Sequence, residues 1–312
     1  MLIPRLFYVE AKFCSRENIG YGGLEVFLQV PKEEDYITTY KLLFYGIIVH
    51  DTSSDELFLV APGDYIVLGR GYKQLCRWHS GTLLKRDDPL KRRYCTKGVY
   101  SGLGYCREHN DSLRAIYDRC FSAGGLQSLG ACKRLDIAIK NRLTYVVYLL
   151  DYGIGLKVGS TRSWRLYERI GEQPHVAAVK LYEETSALRI RELEVELGRK
   201  PGLTERPKKR GLKEIIYYPP RKSYKRLLDT SRKIIKEIRS NTEINLFRVL
   251  PEIELTTYSR AENTVLERIT DRKLEVINCW AGYLLLSEPN TDKYYVIKGR
   301  ELLHRNSIEA IK

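Results

Sequence analysis

Hydrophobic positions switch period several times along the chain, and the switches predict its elements. Up to residue 70, strand-like runs at 24–30, 41–50, 56–60 and 64–68 are broken by Pro31, Pro62 and Gly63, the pattern of a small antiparallel sheet. SLRAIYDRC and ACKRLDIAIK, between 110 and 140, have helical spacing and are divided by a turn at Gly124 and Gly125. The apolar run that opens YVVYLLD is interrupted by Gly153 and Gly155 and resumes at 156–159, which predicts a tight hairpin. Trp164, Tyr167 and Ile170 then recur three apart, giving a helix with Ser163 as its cap. A third strand is expected at 175–182. A second helix follows from Ser186, with Leu188, Leu193 and Leu197 inside, stopped by Gly198, Pro201 and Gly202. Within 222–240, Leu227, Leu228, Ile234, Ile235 and Ile238 line one side of a helix. Strand-like runs return at 252–258, 273–279, 283–287 and 294–298, as a small barrel or as a sheet completed by the N-terminal strands.

The expected class is α+β. Its divisions are a β-rich region over 1–70, a cysteine-rich segment over 71–110, a helical connector over 111–140, a central unit over 141–204 with a small three-stranded sheet and flanking helices, a basic linker and amphipathic helix over 205–244, and a β-rich region over 245–312.

Charge narrows the partner. The 312 residues carry 53 Lys and Arg against 39 Asp and Glu, a net charge of +14, which favours nucleic acid or an anionic membrane surface. No apolar run is long enough to cross a bilayer and the start lacks a signal-peptide pattern, so the expectation is a cytoplasmic protein without a membrane partner. Seven cysteines in a reducing compartment point to metal binding and core packing rather than disulfides. Cys120 and Cys132 lie in apolar helical sequence and read as buried small hydrophobes.

The segment CRWHSGTLLKRDDPLKRRYCTKGVYSGLGYCREH places five candidate metal ligands within 34 residues: Cys76, His79, Cys95, Cys106 and His109. Structural zinc takes four soft ligands in a tetrahedron, and the residues between these ones are too polar to build a core of their own, so metal would supply the folding energy. Cys76, Cys95, Cys106 and His109 are the preferred set, with His79 as the substitute. Between Arg199 and Arg239, fifteen Lys or Arg stand against four acidic residues, a surplus of eleven. Such an imbalance of sign favours phosphate contact, with Lys208, Lys209 and Arg210 in the linker and Arg221, Lys222, Lys225, Arg226, Arg232 and Lys233 on the helix as the contacting groups.

At YVVY, KVGST, Arg169 and Glu194 the central unit resembles the GIY-YIG nuclease superfamily, in the branch where lysine replaces the second tyrosine in a KIG/KVG-T signature. With the cysteine-rich segment before it, the chain also resembles a prokaryotic family that joins a zinc site to this domain. The resemblance covers about 60 residues well and implies an order of strand, strand, helix, strand, helix. By motif position, Tyr145 or Tyr148 matches the first tyrosine, Lys157 the second, Gly159 the glycine, Arg169 the arginine and Glu194 the metal-binding glutamate, with Glu192 and Glu196 as neighbours that shift the register by two. Gln173 stands where many of these nucleases carry histidine or tyrosine. The resemblance implies Mg²⁺ or Mn²⁺ on Glu194, a phosphate held by Arg169, water positioned by a tyrosine and added charge from Lys157.

Two functions follow as expectations. One is a metal-dependent endonuclease, held to its substrate by the zinc segment and the basic helix. The other is a non-catalytic DNA- or RNA-binding factor, associated with ribosomes or structured RNA, that uses the same fold as a basic clamp.

Overall fold

Fourteen strands and eight α-helices form among the described residues, so the chain is mixed α/β. The structure is a computed structural model and describes residues 1–19, 36–71, 73–100, 102–122, 128–206 and 212–311. In chain order the strands are β1 (Leu2–Asn18), β2 (Tyr36–Asp51), β3 (Glu56–Val60), β4 (Tyr65–Gly71), β5 (Tyr145–Asp151), β6 (Leu156–Arg162), β7 (Ala177–Glu184), β8 (Leu203–Thr204), β9 (Leu246–Pro251), β10 (Glu262–Asn263), β11 (Lys273–Trp280), β12 (Tyr283–Ser287), β13 (Tyr294–Lys298) and β14 (Asn306–Ile311). The helices are α1 (Leu113–Ser122), α2 (Leu129–Ile139), α3 (Leu166–Gly171), α4 (Ala187–Gly198), α5 (Leu212–Ile216), α6 (Pro220–Ile238), α7 (Leu255–Arg260) and α8 (Gly299–Leu302). The run expected at 24–30 and the turn at Gly124 and Gly125 lie outside the described residues.

The chain divides into two compact units. The first comprises Met1–Glu10, Leu43–Arg119 and Pro251–Lys312. In it β11 pairs antiparallel with both β4 and β12, β12 with β13, and β14 with both β4 and β1. The C-terminal strands are thus completed by N-terminal ones, the second of the two arrangements that their pattern allows. Their inward residues, including Ile66, Leu68, Val276, Leu284, Leu286, Ile297 and Ile308, join Ile47, Val49 and Val60 in one apolar core. Residues 252–258 do not form the expected strand: Pro251 ends β9 and α7 begins at Leu255. Burial of Tyr258 against Trp280, with its hydroxyl donating to Asn278, outweighs the strand propensity of that run.

The second unit comprises Ala11–Leu42 and Cys120–Leu250. Its sheet is wider than the expected three strands, because β9 adds beyond β7 and β8 beyond β6, in the order β9-β7-β5-β6-β8. Every residue of β5 is buried, which explains the unbroken apolar run that marks it in sequence. Gly153, at φ +94°, supplies the left-handed turn conformation between β5 and β6. In α3 the buried stripe is Leu166 and Ile170, while Trp164 and Tyr167 are half-buried, and Ser163 donates to Glu183 rather than capping the helix.

Helix α4 is positioned by its first turn. Ser186 accepts from the Arg189 N–H, and the Asp136 carboxylate on α2 accepts from the Ala187 and Leu188 N–H groups, filling donors that a helix start leaves open. Its buried residues are Ala187, Ile190, Arg191, Glu194, Val195 and Leu197, so Leu188 and Leu193 lie only partly inside. Cys120 and Cys132, expected as free buried thiols, form a disulfide with a Cα–Cα separation of 4.7 Å. Helical packing brings the two side chains together in a way that their apolar surroundings do not announce.

Candidate functional sites

Cys76, Cys95, Cys106 and His109 converge in the first unit, their ligand atoms all within 4.8 Å of one another. Cys95 Sγ lies 3.9 Å from Cys106 Sγ, and His109 Nδ1 lies 3.8 Å from Cys76 Sγ and 3.3 Å from Cys106 Sγ. A tetrahedral ion with metal–sulfur bonds of about 2.3 Å separates its donors by about 3.8 Å, so the set fits a metal such as zinc. The Cys106 N–H points at Cys76 Sγ from 3.3 Å, and Trp78 and Lys97 aim backbone N–H groups at Cys76 and Cys95. Trp78 also stacks on the His109 ring at 4.0 Å and 4°, fixing the plane of the imidazole. Burial pushes the Cys95 thiol up to about 12 and raises Cys76 too, while it lowers His109 towards the neutral state that ligation needs. His79 lies outside the group: its Nδ1 accepts from the Gly81 N–H, and it bridges to Tyr94.

Beneath this cluster is a residue that the sequence pattern does not single out. Arg5 on β1 is 2 % exposed and donates to the carbonyl of the ligand Cys76. Its other donors go to Nδ1 of His50 and of His304, and the Tyr94 ring lies 5.7 Å away.

The second unit brings together most of the residues expected at a phosphodiester site. Strand alternation puts Tyr145 and Tyr148 on opposite faces of β5. Tyr145 packs on the Phe121 ring at 5.3 Å, whereas Tyr148 pairs across the strands with Gly159. A Cβ at position 159 would lie 2.5 Å from the Tyr148 hydroxyl, so the glycine makes room for this phenol. Gln173 donates to the Tyr148 hydroxyl at 2.9 Å and to the Arg169 carbonyl, and it accepts from Lys157. The residue that departs from the nuclease pattern is therefore the hub of the group.

Burial, with the like charge of Arg169, holds the Lys157 ammonium down to about 8, and Glu194 pulls the other way. Burial raises the Tyr148 phenol against the opposing pull of Arg169 and Gln173. Arg169 is half-exposed and joins Arg165 on the carboxylate of Glu172. Burial raises the Glu172 carboxyl, but the two guanidiniums more than offset it and leave it below its ordinary value.

Glu194 is the inward member of its trio, since Glu192 pairs with Arg189 and Glu196 is exposed. Its carboxylate accepts from Ser160 and from Arg191, at 2.7 Å for the latter, and Arg191 is 2 % exposed and also bonds Glu205. Burial raises the Glu194 carboxyl, and Arg191 and Ser160 hold the rise back. Arg191 is the partner that the motif comparison leaves out; its signal was only its position three residues before Glu194.

On α6, Arg221, Lys222, Lys225, Arg232 and Lys233 are exposed, while Tyr224, Leu227, Leu228 and Ile234 are buried. Arg226 differs from its neighbours. It turns inward to the buried Asp151, at 2.8 Å from Nε, and to the Gly153 carbonyl. Lys208, Lys209 and Arg210 lie outside the described residues. Among the described residues no helix is long and apolar enough to cross a membrane. In comparisons with family models, curated proteins and solved structures, the chain matches none of them.

Proposed function

We propose that the protein binds nucleic acid on a scaffold stabilised by one zinc ion. The outer face of α6 carries this reading: Arg221, Lys222, Lys225, Arg232, Lys233 and Lys236, six exposed cations, lie along one helix side, in a chain with a net charge of +14. Such a row neutralises phosphates and releases their counterions. A groove beside the cysteine cluster, where Lys97 is paired with Glu108, adds Lys73 and Arg107 beside Tyr100, which is 63 % exposed and has Arg107 4.7 Å from its ring centroid. An exposed ring among cations offers an unpaired base a stacking surface, which supports single-stranded DNA or RNA as the partner. The donor set of three sulfurs and one imidazole supports zinc as the metal.

Binding measured over a range of salt concentrations tests the claim. Replacing Lys225, Arg232 and Lys233 by Glu should weaken binding and flatten the salt dependence, since each phosphate contact contributes close to one counterion. Unchanged affinity and slope would put the binding surface elsewhere.

Cleavage by a GIY-YIG-like centre is a second reading, favoured by the grouping of Tyr148, Lys157, Arg169 and Gln173 around β5, β6 and α3. Mg²⁺ or Mn²⁺ on Glu194 does not fit this arrangement, because a buried guanidinium already occupies the carboxylate. The clamp is accordingly the preferred function. Metal-dependent cutting of DNA or structured RNA by wild type, lost in Glu194→Ala, would favour the nuclease instead.

A further inference from the structure

A fully buried arginine without a carboxylate needs another source of negative charge, because an isolated cation in a protein interior is strongly disfavoured. Arg5 is such a residue. Among the described residues it has no carboxylate within ion-pair distance, and its Nε has no hydrogen-bond partner. The nearest acid in its network is Asp55, reached only through His50, whose Nε2–H donates to it at 2.7 Å; that side chain is 77 % exposed and screened by water. The Arg5 donors meet two imidazole nitrogens and the Cys76 carbonyl, all of them neutral acceptors.

The cysteine cluster can supply the missing charge. A divalent ion held by three thiolates and one neutral imidazole leaves the site one unit negative. Cys76 is joined to the arginine through its own carbonyl, and the residue before it, Leu75, donates its N–H to the carbonyl of His304 in the same network. We propose that Arg5 is the counter-charge of the metal-loaded site and positions the Cys76 loop for it, so that metal loading and burial of Arg5 stabilise each other. This rests on the zinc reading above.

The test is zinc affinity by chelator competition on the full chain, with Arg5→Met, Arg5→Lys and His109→Cys. Arg5→Met should lose about tenfold or more in affinity, the range seen when residues behind metal ligands are changed. Arg5→Lys, which keeps the charge, should stay closer to wild type. His109→Cys makes the site one unit more negative; with Arg5 in place it should retain zinc, and Arg5→Met should cost more affinity there than in the native ligand set. This pair of measurements also carries the test if Arg5→Met alone folds poorly. A merely structural cage predicts otherwise: equal loss in Arg5→Met and Arg5→Lys, or lower thermal stability with zinc affinity unchanged. Either result overturns the proposal while leaving the metal reading intact. Wild type that binds no zinc would overturn both.

Discussion

The cysteine cluster and the group around Glu194 are both buried and polar, yet only one of them is left with its donors facing each other. At the cluster, three thiols and an imidazole crowd within 4.8 Å of one another. Around Glu194 the two ionised pairs are internal to the group, Glu194 with Arg191 and Arg169 with Glu172, and Lys157 donates to the neutral amide oxygen of Gln173. Three thiols and an imidazole at this spacing can hold an ion such as zinc, whereas the Glu194 carboxylate is already taken up by a guanidinium. Motif matching weighs both groups alike; the pairing of their atoms separates them.

On the proposed zinc reading, removing the ion should have the largest effect. Cys106→Ser, or chelation of wild type, should lower the melting temperature by about 10 °C or more, because metal binding is folding free energy in a segment with little core of its own. An unshifted melting curve would make the cluster as self-sufficient as the Glu194 group.

Next in size is the buried pair. Arg191→Met strands the Glu194 carboxylate and should cost about 3–5 kcal/mol in urea unfolding, and adding Glu194→Leu should recover much of it. A loss under about 1 kcal/mol would mean that Glu194 is not held as described, and would reopen it to a metal.

Acid should act next. His175 is buried, accepts from the Val249 N–H at Nε2 and donates from Nδ1 to the Gln173 carbonyl; burial lowers it to about 4. The unfolded chain binds this proton below pH 6.5 and the folded chain only near pH 4, so stability falls as pH drops through that window. The loss from this residue is about 2 kcal/mol by pH 5. His304, lowered to about 3 by burial and by Arg5 and Arg77, acts in the same direction. Urea midpoints from pH 7 to 5 check this, and His175→Gln should flatten the slope.

The smallest effect belongs to Gly159→Ala. Contact with the Tyr148 ring should cost about 1–3 kcal/mol, the range for overpacking a tight site. Tyr148→Phe should relieve part of it, since the hydroxyl is the nearest atom.

What the sequence makes legible is local. Cys76, Cys95, Cys106 and His109 are close in the chain and chemically distinctive, so their grouping can be read before folding. Choosing His109 over His79 followed the spacing of the last two ligands. The buried β5 and the glycine-broken hairpin after it are equally local signals. What escapes is long-range. Arg5 meets His304 across 299 residues, and nothing near either one announces the contact. The strand expected at 252–258 is a helix because of Trp280, and the inner face of α4 holds an ion pair where periodicity selects leucines. Cys120 and Cys132 look like packing residues until two helices bring them together.

Metal content of the purified, unchelated chain tests the central contrast most directly. Elemental analysis with native mass spectrometry should find about one zinc per chain, absent from Cys106→Ser and His109→Ala and retained in Glu194→Ala. Wild type without zinc, or zinc that leaves with Glu194 and stays in Cys106→Ser, would contradict the account.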